Sequence, residues 1–497
     1  MISAPMSDNF LAHHPELDEP LPSVDRPNLL NALRARLPES CVLSTREQMK
    51  PFECDALTVY RNMPLLVVIP ESVGQVQVVL SICHRLQVPV VTRGAGTGLS
   101  GGALPCASGV LLVLSRLTEI LEIDVDRRLA RVQPGVRNLA ISDAAAQFGL
   151  YYAPDPSSQL ACSIGGNVGE NAGGVHCLKY GLTVHNVMAL KVLTVEGELL
   201  ELGGETLDSP GLDLLSLIIG SEGMLGVVVE VTVKLLVTPP AVRTLMASFA
   251  VVDDAAQAVA DIISEGIIPA GLEMMDNLSI QAIEAFLQAG YPLDAAAMLL
   301  LELDGHSEDV EVDFERCRQL LDAGGSTEIR VARDEAERQL FWRGRKSAFP
   351  ALSRLEPDYY CIDGTIPRSK IGEVLAYIYD QGQLAGLRVA NVFHAGDGNL
   401  HPLIIFDSAV PDVVPRVEQL ASLIMEKCVA VGGTITGEHG VGREKINQMA
   451  AQFTDAEIAQ FERVKRALDQ AGTLNPGKNI PTLKRCQEYR SISGGRS

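Results

Sequence analysis

Short apolar runs and amphipathic stretches alternate along the first half of the chain. The runs at 65–70, 88–94, 109–114 and 129–136 predict buried strands, and the apolar spacing over 72–86 predicts an amphipathic helix. A hairpin is predicted at 187–202, with Glu196-Gly197 at its turn, and a long strand is predicted at 226–236. This rhythm is typical of an α/β or α+β domain.

The pattern changes after Pro239-Pro240, where we predict a domain boundary. Beyond it, strands at 244–251 and 297–304 alternate with helices at 255–265 and 279–289. Residues 390–406 predict two strands around an Asp397-Gly398 turn, followed by a helix at 414–431. The predicted order is a lead-in (1–50), a first domain (51–239), a second domain on an antiparallel sheet (240–430), a C-terminal segment returning to the first domain (431–485) and a tail (486–497). The fold class is therefore α+β.

Composition and charge exclude several classes of protein. The 497 residues carry a net charge of −21, whereas a nucleic-acid-binding protein needs a cationic face. No apolar run approaches the roughly 18 residues that cross a bilayer, and the acidic, proline-broken N-terminus lacks the features of a signal peptide. None of the ten cysteines forms a C-x-x-C pair, which argues against a zinc knuckle or an iron–sulfur site. We therefore expect a cytoplasmic protein with reduced thiols.

A glycine-rich segment, RGAGTGLSGG (93–102), directly follows a predicted strand. Glycine adopts positive φ, so successive N–H groups can converge on an anion, and the segment predicts a diphosphate cradle. The alternative is a plain turn, which needs only one or two glycines. Gly96-x-Gly98-x-x-Gly101 also matches the Rossmann dinucleotide fingerprint, but that motif must open a helix. Pro105 and its neighbouring glycines cannot continue a helix, so we reject the nicotinamide interpretation.

A second glycine-rich segment covers residues 154–181, and a third covers 220–228. In the second, closely spaced glycines would let the backbone lie flat against a planar ring or a ribityl chain. Its neutral hydrogen-bonding groups are Ser157, Ser158, Asn167 and Asn171. A purely structural loop is an equal alternative. In the third segment, Gly223 and Gly226 bracket the entry into a strand.

In this order and spacing, the three segments resemble the FAD-binding domain of the vanillyl-alcohol oxidase/p-cresol methylhydroxylase (PCMH) family. The strings VPVVTRGAGTGLSGGALP, YYAPDPSSQLACSIGGNV and ENAGGVHCLKYGLTVHN are also similar to the flavin subunits of bacterial glycolate oxidases and to D-lactate dehydrogenases. The resemblance runs through almost the whole chain. It implies a two-domain PCMH-type FAD-binding fold with an antiparallel-sheet substrate (cap) domain and a C-terminal segment that returns to the FAD domain.

The resemblance also implies which residues contact FAD. The diphosphate is expected at Arg93, Gly94, Ala95, Gly96, Thr97, Gly98, Ser100 and Gly101. The isoalloxazine and ribityl groups are expected at Pro154, Asp155, Ser157, Ser158, Gly165, Gly166, Asn167, Asn171, Gly173 and Gly174, with further cofactor contacts from Glu222, Gly223 and Asn475. Some family members attach flavin through a histidine in the diphosphate loop. Residues 93–102 contain no histidine or cysteine, so non-covalent FAD is expected.

Histidines and one carboxylate cluster in two C-terminal motifs, FHAGDGNLH (393–401) and GEHGVG (437–442). His394 and His401 flank a tight turn and can face each other, and Glu438 would complete a three-ligand set for zinc or manganese. The alternative is two surface histidines and a loop acid. The resemblance favours the metal site, because related dehydrogenases have H-x-G-D-G-N-x-H and E-H-G-x-G at these places. It implies that His394, His401 and Glu438 are ligands and that His439 is the base.

An anionic substrate needs a cation, and basic residues surround the only tryptophan, Trp342. The resemblance implies that the arginine of a W-x-x-R motif holds the substrate carboxylate, which points to Arg345. For Arg343 and Lys346 we favour a solvated helix face. Hydroxyglutarate-type members carry a lysine near Cys361; its absence here favours a small substrate such as glycolate or D-lactate.

The expected function is FAD-dependent oxidation of a small D-2-hydroxy acid, glycolate to glyoxylate, with hydride transfer to flavin. The resemblance implies partner subunits (a second flavin-like subunit and an iron–sulfur subunit), a quinone acceptor and peripheral attachment to the inner face of the membrane. One alternative is a D-lactate dehydrogenase that acts without a complex. Another is a zinc hydrolase with structural glycine loops, and a third is a non-catalytic flavoprotein subunit, against which the intact histidine motifs argue.

Overall fold

A computed structural model describes residues 23–206, 211–483, 485, 486 and 489. Residues 1–22 of the predicted lead-in and nearly all of the predicted tail lie outside these residues. The strands are β1 (Val42–Leu43), β2 (Leu66–Val68), β3 (Val90–Arg93), β4 (Val110–Val113), β5 (Ile120–Asp124), β6 (Leu129–Val132), β7 (Leu150–Tyr151), β8 (Val187–Leu193), β9 (Leu199–Gly203), β10 (Val227–Lys234), β11 (Leu236–Val237), β12 (Ala241–Phe249), β13 (Gly271–Asp276), β14 (Ala297–Gly305), β15 (Ser326–Val331), β16 (Asp358–Cys361), β17 (Gly364–Thr365), β18 (Arg388–His394), β19 (Asn399–Leu400) and β20 (Pro402–Phe406).

The α-helices alternate with these strands through both halves of the chain. They are α1 (Arg26–Arg34), α2 (Arg46–Met49), α3 (Val73–Arg85), α4 (Asn138–Ala145), α5 (Ile164–Glu170), α6 (Cys177–Tyr180), α7 (Thr183–Asn186), α8 (Leu214–Ile218), α9 (Val252–Ser264), α10 (Asn277–Leu287), α11 (Ser307–Ala323), α12 (Glu335–Lys346), α13 (Ala348–Leu352), α14 (Ile371–Ala385), α15 (Val413–Ala430), α16 (Met449–Gln452) and α17 (Asp455–Leu468). None of the helices described here is both long enough and apolar enough to span a membrane.

Two larger sheets build the first half of the chain. In a four-stranded sheet of order β1-β2-β4-β3, the strands β2, β4 and β3 are parallel and β1 is antiparallel. Leu66 and Val110 are fully buried there, because α1 and α3 cover this sheet. A second, antiparallel sheet has the order β5-β6-β10-β8-β9. The predicted diphosphate loop begins at the carboxyl end of β3. No helix forms between β3 and β4, which agrees with our rejection of the Rossmann interpretation.

A nine-stranded antiparallel sheet dominates the second half. Its main path is β15-β12-β14-β13-β18-β19-β17, and β16 and β20 join beside β18. β14 lies at its centre and is almost entirely apolar, with α9 and α11 packed on it. The predicted pair of strands over 390–406 is three strands, because the chain breaks between β19 and β20 at His401.

The C-terminal segment returns to the first half of the chain, as predicted. Leu474 forms a parallel bridge with Val90 beside β3. Asn475 lies in left-handed backbone (φ 42°), and its side-chain amide donates to the carbonyls of Gly102 and Glu222, at 3.0 and 2.5 Å. This amide therefore joins the C-terminal segment to two of the glycine-rich segments.

Replacing Asn475 by alanine should leave the two buried carbonyls without these donors. We expect Asn475→Ala to lower the free energy of unfolding by about 1–3 kcal/mol and the melting temperature by roughly 2–6 °C. Thermal unfolding followed by circular dichroism measures the change. Asn31→Ala, at an exposed position of α1, is the matched control and should leave the melting temperature unchanged. An Asn475→Ala protein as stable as the control would contradict the anchoring role.

Candidate active site

One cavity of about 520 Å³ joins the glycine-rich segments to the histidine motifs. On one side, its lining includes the predicted cofactor residues Gly94, Ala95, Gly96, Thr97, Gly98, Ser157, Ser158, Gly165, Gly166, Asn167, Gly173, Glu222 and Gly223. On the other side lie Arg345, His401, Glu438 and His439. Residues more than 300 positions apart in the chain therefore face a common space.

The remaining predicted cofactor residues lie outside this lining and support it. The Arg93 guanidinium donates to the Cys54 carbonyl at 2.5 Å, and the Ser100 carbonyl accepts from the backbone N–H groups of Arg443 and Glu444. The Pro154 carbonyl accepts from Asn138. The others are Gly101, Asp155, Asn171, Gly174 and Asn475. They hydrogen-bond to other parts of the protein and so support the walls of the cavity.

The chemistry of the lining fits a flavin dinucleotide. A side chain at Gly96, whose φ is 75°, would collide with Arg93, and one at Gly173 would come within 2.5 Å of Glu438. Only glycine leaves backbone N–H groups accessible at such positions. The buried Ser163 hydroxyl, which lies against Gly94, has no hydrogen-bond partner in the described part of the chain. An unpaired hydroxyl beside open backbone is what a polar ligand would satisfy.

His394, His401 and Glu438 converge as the sequence predicted. The Nε2 atoms of His394 and His401 lie 3.3 and 2.9 Å from Glu438 Oε1, and one ligand atom from each residue falls within a 4.8 Å cluster. The two imidazole planes cross at 87°. Burial alone would raise the pKa of Glu438, but His394 and His401 outweigh it and hold that pKa well below its usual value. Two imidazoles and a carboxylate are a suitable donor set for zinc or manganese.

Cys361, His401 and His439 form a second set of close ligand atoms. Here the His401 and His439 rings are stacked, with centroids 4.9 Å apart and planes only 13° apart. A metal ion lies in the plane of each imidazole that binds it, and stacked rings share no such point. The geometry therefore favours the set of His394, His401 and Glu438.

Glu273, which sequence reasoning missed, connects this set to Arg345. It pairs with His394 across β13 and β18, is fully buried, and places Oε1 2.6 Å from His394 Nδ1. Its Oε2 accepts from Arg345 Nε at 2.7 Å and lies 2.6 Å from Nη2. Such a carboxylate orients a metal-binding imidazole through the nitrogen that the metal does not use. The available signal was an acid inside the apolar strand GLEMMD, because buried carboxylates need partners.

Asp363, also missed, holds the GEHGVG motif in place. Its carboxylate accepts from the backbone N–H groups of Gly437, Glu438 and His439 at 2.9–3.1 Å, and from Lys445 Nζ at 3.0 Å. Burial alone would raise its pKa, but Lys445 and the two neighbouring imidazoles outweigh burial and keep the pKa well below its usual value. The loop that carries the predicted ligand and base is thus built around one buried negative charge.

His439 is a neutral imidazole at physiological pH. Burial, the largest influence, lowers its pKa to about 4, although Asp363 acts in the opposite direction. Its Nε2 lies 3.7 Å from Glu438 Oε1, and its Nδ1 has no hydrogen-bond partner among the described residues. A neutral imidazole in this position can accept a proton.

His176 connects the second glycine-rich segment to the nine-stranded sheet. Its Nδ1 lies 2.9 Å from Asp155 Oδ2, and its Nε2 lies 3.4 Å from Glu302 Oε1. Burial would lower its pKa, but these two carboxylates outweigh burial and raise the pKa to about 10. It therefore acts as a buried cation between the two carboxylates.

Comparisons with known proteins agree with this geometry. Residues 64–203 match an FAD binding domain, and residues 238–479 match the FAD linked oxidases, C-terminal domain. The chain is 62% identical to glycolate oxidase subunit GlcD of Escherichia coli, with 97% of each chain covered. It is 32% identical to D-lactate dehydrogenase of Anaerostipes hadrus, covering 88% of this chain and 94% of the relative. Substrate-bound p-cresol methylhydroxylase has the same fold: the TM-score is 0.79 at 17% identity, over 92% of this chain and 97% of that one. The predicted PCMH-type fold and the FAD cofactor are thereby confirmed.

Removing the charge of Asp363 should loosen the GEHGVG motif and leave Lys445 as a buried cation without its main partner. We expect Asp363→Asn to cost about 3–5 kcal/mol of stability, measured as a fall in the thermal unfolding temperature. The double variant Asp363→Asn/Lys445→Met should be more stable than Asp363→Asn alone, since it removes the unpaired charge. If the double variant is as unstable as the sum of the single variants, the two groups are not coupled.

Proposed function

The chain belongs to the FAD-linked oxidases and is an FAD-dependent hydroxy-acid oxidoreductase, and on that premise we propose that it oxidises a small D-2-hydroxy acid, with glycolate converted to glyoxylate. One observation carries the proposal: a single cavity is lined by the cofactor segments and by His401, Glu438 and His439. The glycolate oxidase name of the 62% identical relative supports the choice of substrate.

The glycine-rich walls are proposed to hold FAD without a covalent bond. The loop at 93–98 would receive the diphosphate, while Ser157, Ser158 and the glycines at 165, 166 and 173 would line the ring and ribityl chain. When bound, FAD supplies the acceptor for the substrate hydride. Residues 93–102 offer no histidine or cysteine for covalent attachment.

His394, His401 and Glu438 are the proposed ligands of a divalent metal ion, zinc or manganese. Such an ion supplies Lewis acidity, which lowers the pKa of a substrate hydroxyl. Glu273 holds His394 through Nδ1, so its Nε2 is directed at Glu438. Asp363 fixes the backbone of Glu438, and together these two acids position the ligand set.

Arg345 and His439 are proposed to act on the substrate directly. Glu273 occupies the Nε and Nη2 groups of Arg345, so the substrate carboxylate would be received at Nη1. His439 would take the hydroxyl proton at Nε2, the ring nitrogen that faces the ligand set at 3.7 Å. Because burial keeps this imidazole neutral, it is ready to accept the proton without first losing one.

Reoxidation is proposed to need other protein subunits. None of the ten cysteines belongs to a C-x-x-C pair, so the sequence offers no evident iron–sulfur relay of its own. We therefore propose a second flavin-like subunit and an iron–sulfur subunit as partners, a quinone as acceptor, and a cytoplasmic location at the inner membrane face. The word subunit in the name of the Escherichia coli relative supports partners.

D-lactate is the second candidate substrate. Cys361 is buried beside His401 and His439, and a thiol offers no cation for the second carboxylate of a diacid. This supports a short monocarboxylate, a class that includes both glycolate and D-lactate. The relative named D-lactate dehydrogenase supports this candidate. The zinc-hydrolase alternative is set aside, because both halves of the chain match FAD-linked families.

Anaerobic mixing with substrate tests the proposed reaction. Glycolate or D-lactate should bleach the flavin absorbance near 450 nm (a rough value for flavins), whereas L-lactate should not. In His439→Gln the flavin should remain bound, and bleaching should slow by about 10²–10⁴-fold. Unchanged bleaching in that variant would exclude His439 as the base. Flavin that no 2-hydroxy acid reduces would refute the substrate class while leaving the fold intact.

Metal analysis tests the ligand set independently of turnover. We expect about one zinc or manganese per chain, and Glu438→Gln should lower the metal affinity by at least roughly tenfold. Emission spectroscopy after dialysis measures the content. Glu462→Gln, a partly exposed site on α17, matches the charge change and should retain the metal. Full metal content in Glu438→Gln would remove that residue from the site.

A further inference from the structure

Glu170 is a cavity-lining acid that the proposed reaction does not use. It is the last residue of α5 and lines the cavity together with the glycine-rich segments. A Cβ added at Gly102 would collide with Glu170 Oε1, and one added at Gly98 would touch the same oxygen at 3.9 Å. Its other oxygen, Oε2, lies where a Cβ on Gly440 would be. The carboxyl group of Glu170 therefore lies between the predicted diphosphate loop and the GEHGVG motif.

The Glu170 carboxyl group lacks a charge partner in the described part of the chain. Its Oε2 is buried and has no hydrogen-bond partner there. The nearby lysines are engaged elsewhere: Lys445 contacts Asp363 at 3.0 Å, and Lys478 donates to Asn475. The Arg93 guanidinium points to the Cys54 carbonyl.

The neighbouring groups make ionisation of Glu170 unfavourable. Glu222, which also lines the cavity, accepts from the backbone N–H groups of Val441 and Gly442 at 2.8 Å and from Asn479. These donors stabilise the negative charge on Glu222, although burial outweighs them and raises the pKa of this carboxyl above its usual value. Burial, followed by the Glu222 and Asp55 carboxylates, raises the pKa of Glu170 well above its usual value, against smaller opposing effects of Lys445 and Lys478.

A diphosphate in the loop would add further negative charge beside this group. Two like charges a few ångströms apart in a poorly hydrated site repel strongly. An ionised Glu170 would therefore oppose cofactor binding, whereas a protonated one has an O–H group to donate. We propose that Glu170 binds FAD as a neutral carboxylic acid and donates a hydrogen bond to an oxygen of its diphosphate or ribityl chain.

This inference rests on the proposed placement of FAD in the cavity and not on the identity of the substrate. It adds a cofactor residue that motif reasoning missed, because the acid lies within GGNVGENAGG, where only glycines and asparagines drew attention. It also predicts the direction of the pH dependence of FAD affinity. FAD should bind more tightly at low pH, and where Glu170 is ionised in the FAD-free protein, binding should take up a proton.

The test is FAD binding to protein from which FAD has been removed, followed by flavin fluorescence between about pH 6 and pH 9.5. Wild-type affinity should weaken as pH rises through the pKa of Glu170. Glu170→Gln keeps a donor of similar shape, so it should bind as the wild type does at low pH and lose this pH dependence. Glu170→Ala lacks the donor and should bind about ten- to hundredfold more weakly. Glu196→Gln, exposed at the β8–β9 turn, is the charge-matched control and should behave as wild type.

Calorimetry in two buffers of different ionisation enthalpy provides a readout that a merely structural role would not move. At high pH the wild type should take up a proton on binding FAD. Glu170→Gln should take up fewer protons per FAD, because it lacks the carboxylate that is protonated in the wild type. Three results would overturn the proposal: Glu170→Gln binding as weakly as Glu170→Ala, Glu170→Ala binding as tightly as wild type, or equal proton uptake in wild type and Glu170→Gln. None of these measurements uses substrate, so failure of glycolate oxidation would not be mistaken for failure of this proposal.

Discussion

The carboxylate of Asp363 receives three consecutive backbone N–H groups, from Gly437 to His439, together with the ammonium group of Lys445. Asp363 lies between β16 and β17 in the second half of the chain and is fully buried. A buried charge is tolerated only when its hydrogen-bonding capacity is satisfied, so the loop must wrap around it. The positions of Glu438 and His439 follow from that requirement.

A second carboxylate holds the other end of the same loop. Glu222, from the first half of the chain, accepts from Val441 and Gly442, directly after the residues that Asp363 holds. The backbone of Glu222 has positive φ (51°), an uncommon conformation for a non-glycine residue that the surrounding hydrogen bonds maintain. The GEHGVG motif is thus fixed from both halves of the chain, which explains how its side chains come to face the flavin segments across one cavity.

Glu273 connects two groups that lie in different sequence motifs, His394 and Arg345. One of its oxygens orients His394 and the other binds Arg345, so the proposed metal-ligand set and the proposed substrate arginine share a single buried acid. A change at Glu273 would therefore disturb both at once. The Glu273 carboxylate also offsets part of the positive charge of Arg345. The guanidinium can therefore donate hydrogen bonds into the cavity without being an unpaired buried cation.

Features that depend on near neighbours in the chain could be predicted from the amino-acid sequence. Strand rhythm, the glycine-rich loops and the histidine motifs could be recognised because their physical meaning lies in spacing over a few residues, as in the segments at 93–102 and 393–401. Glu273, Asp363 and Glu170 were not recognisable in this way. Glu273 meets His394 across 121 positions, and Asp363 meets His439 across 76. These pairs form only in the folded chain, because the role of a buried carboxylate depends on the donors and charges that folding places around it. Those donors come from distant parts of the chain.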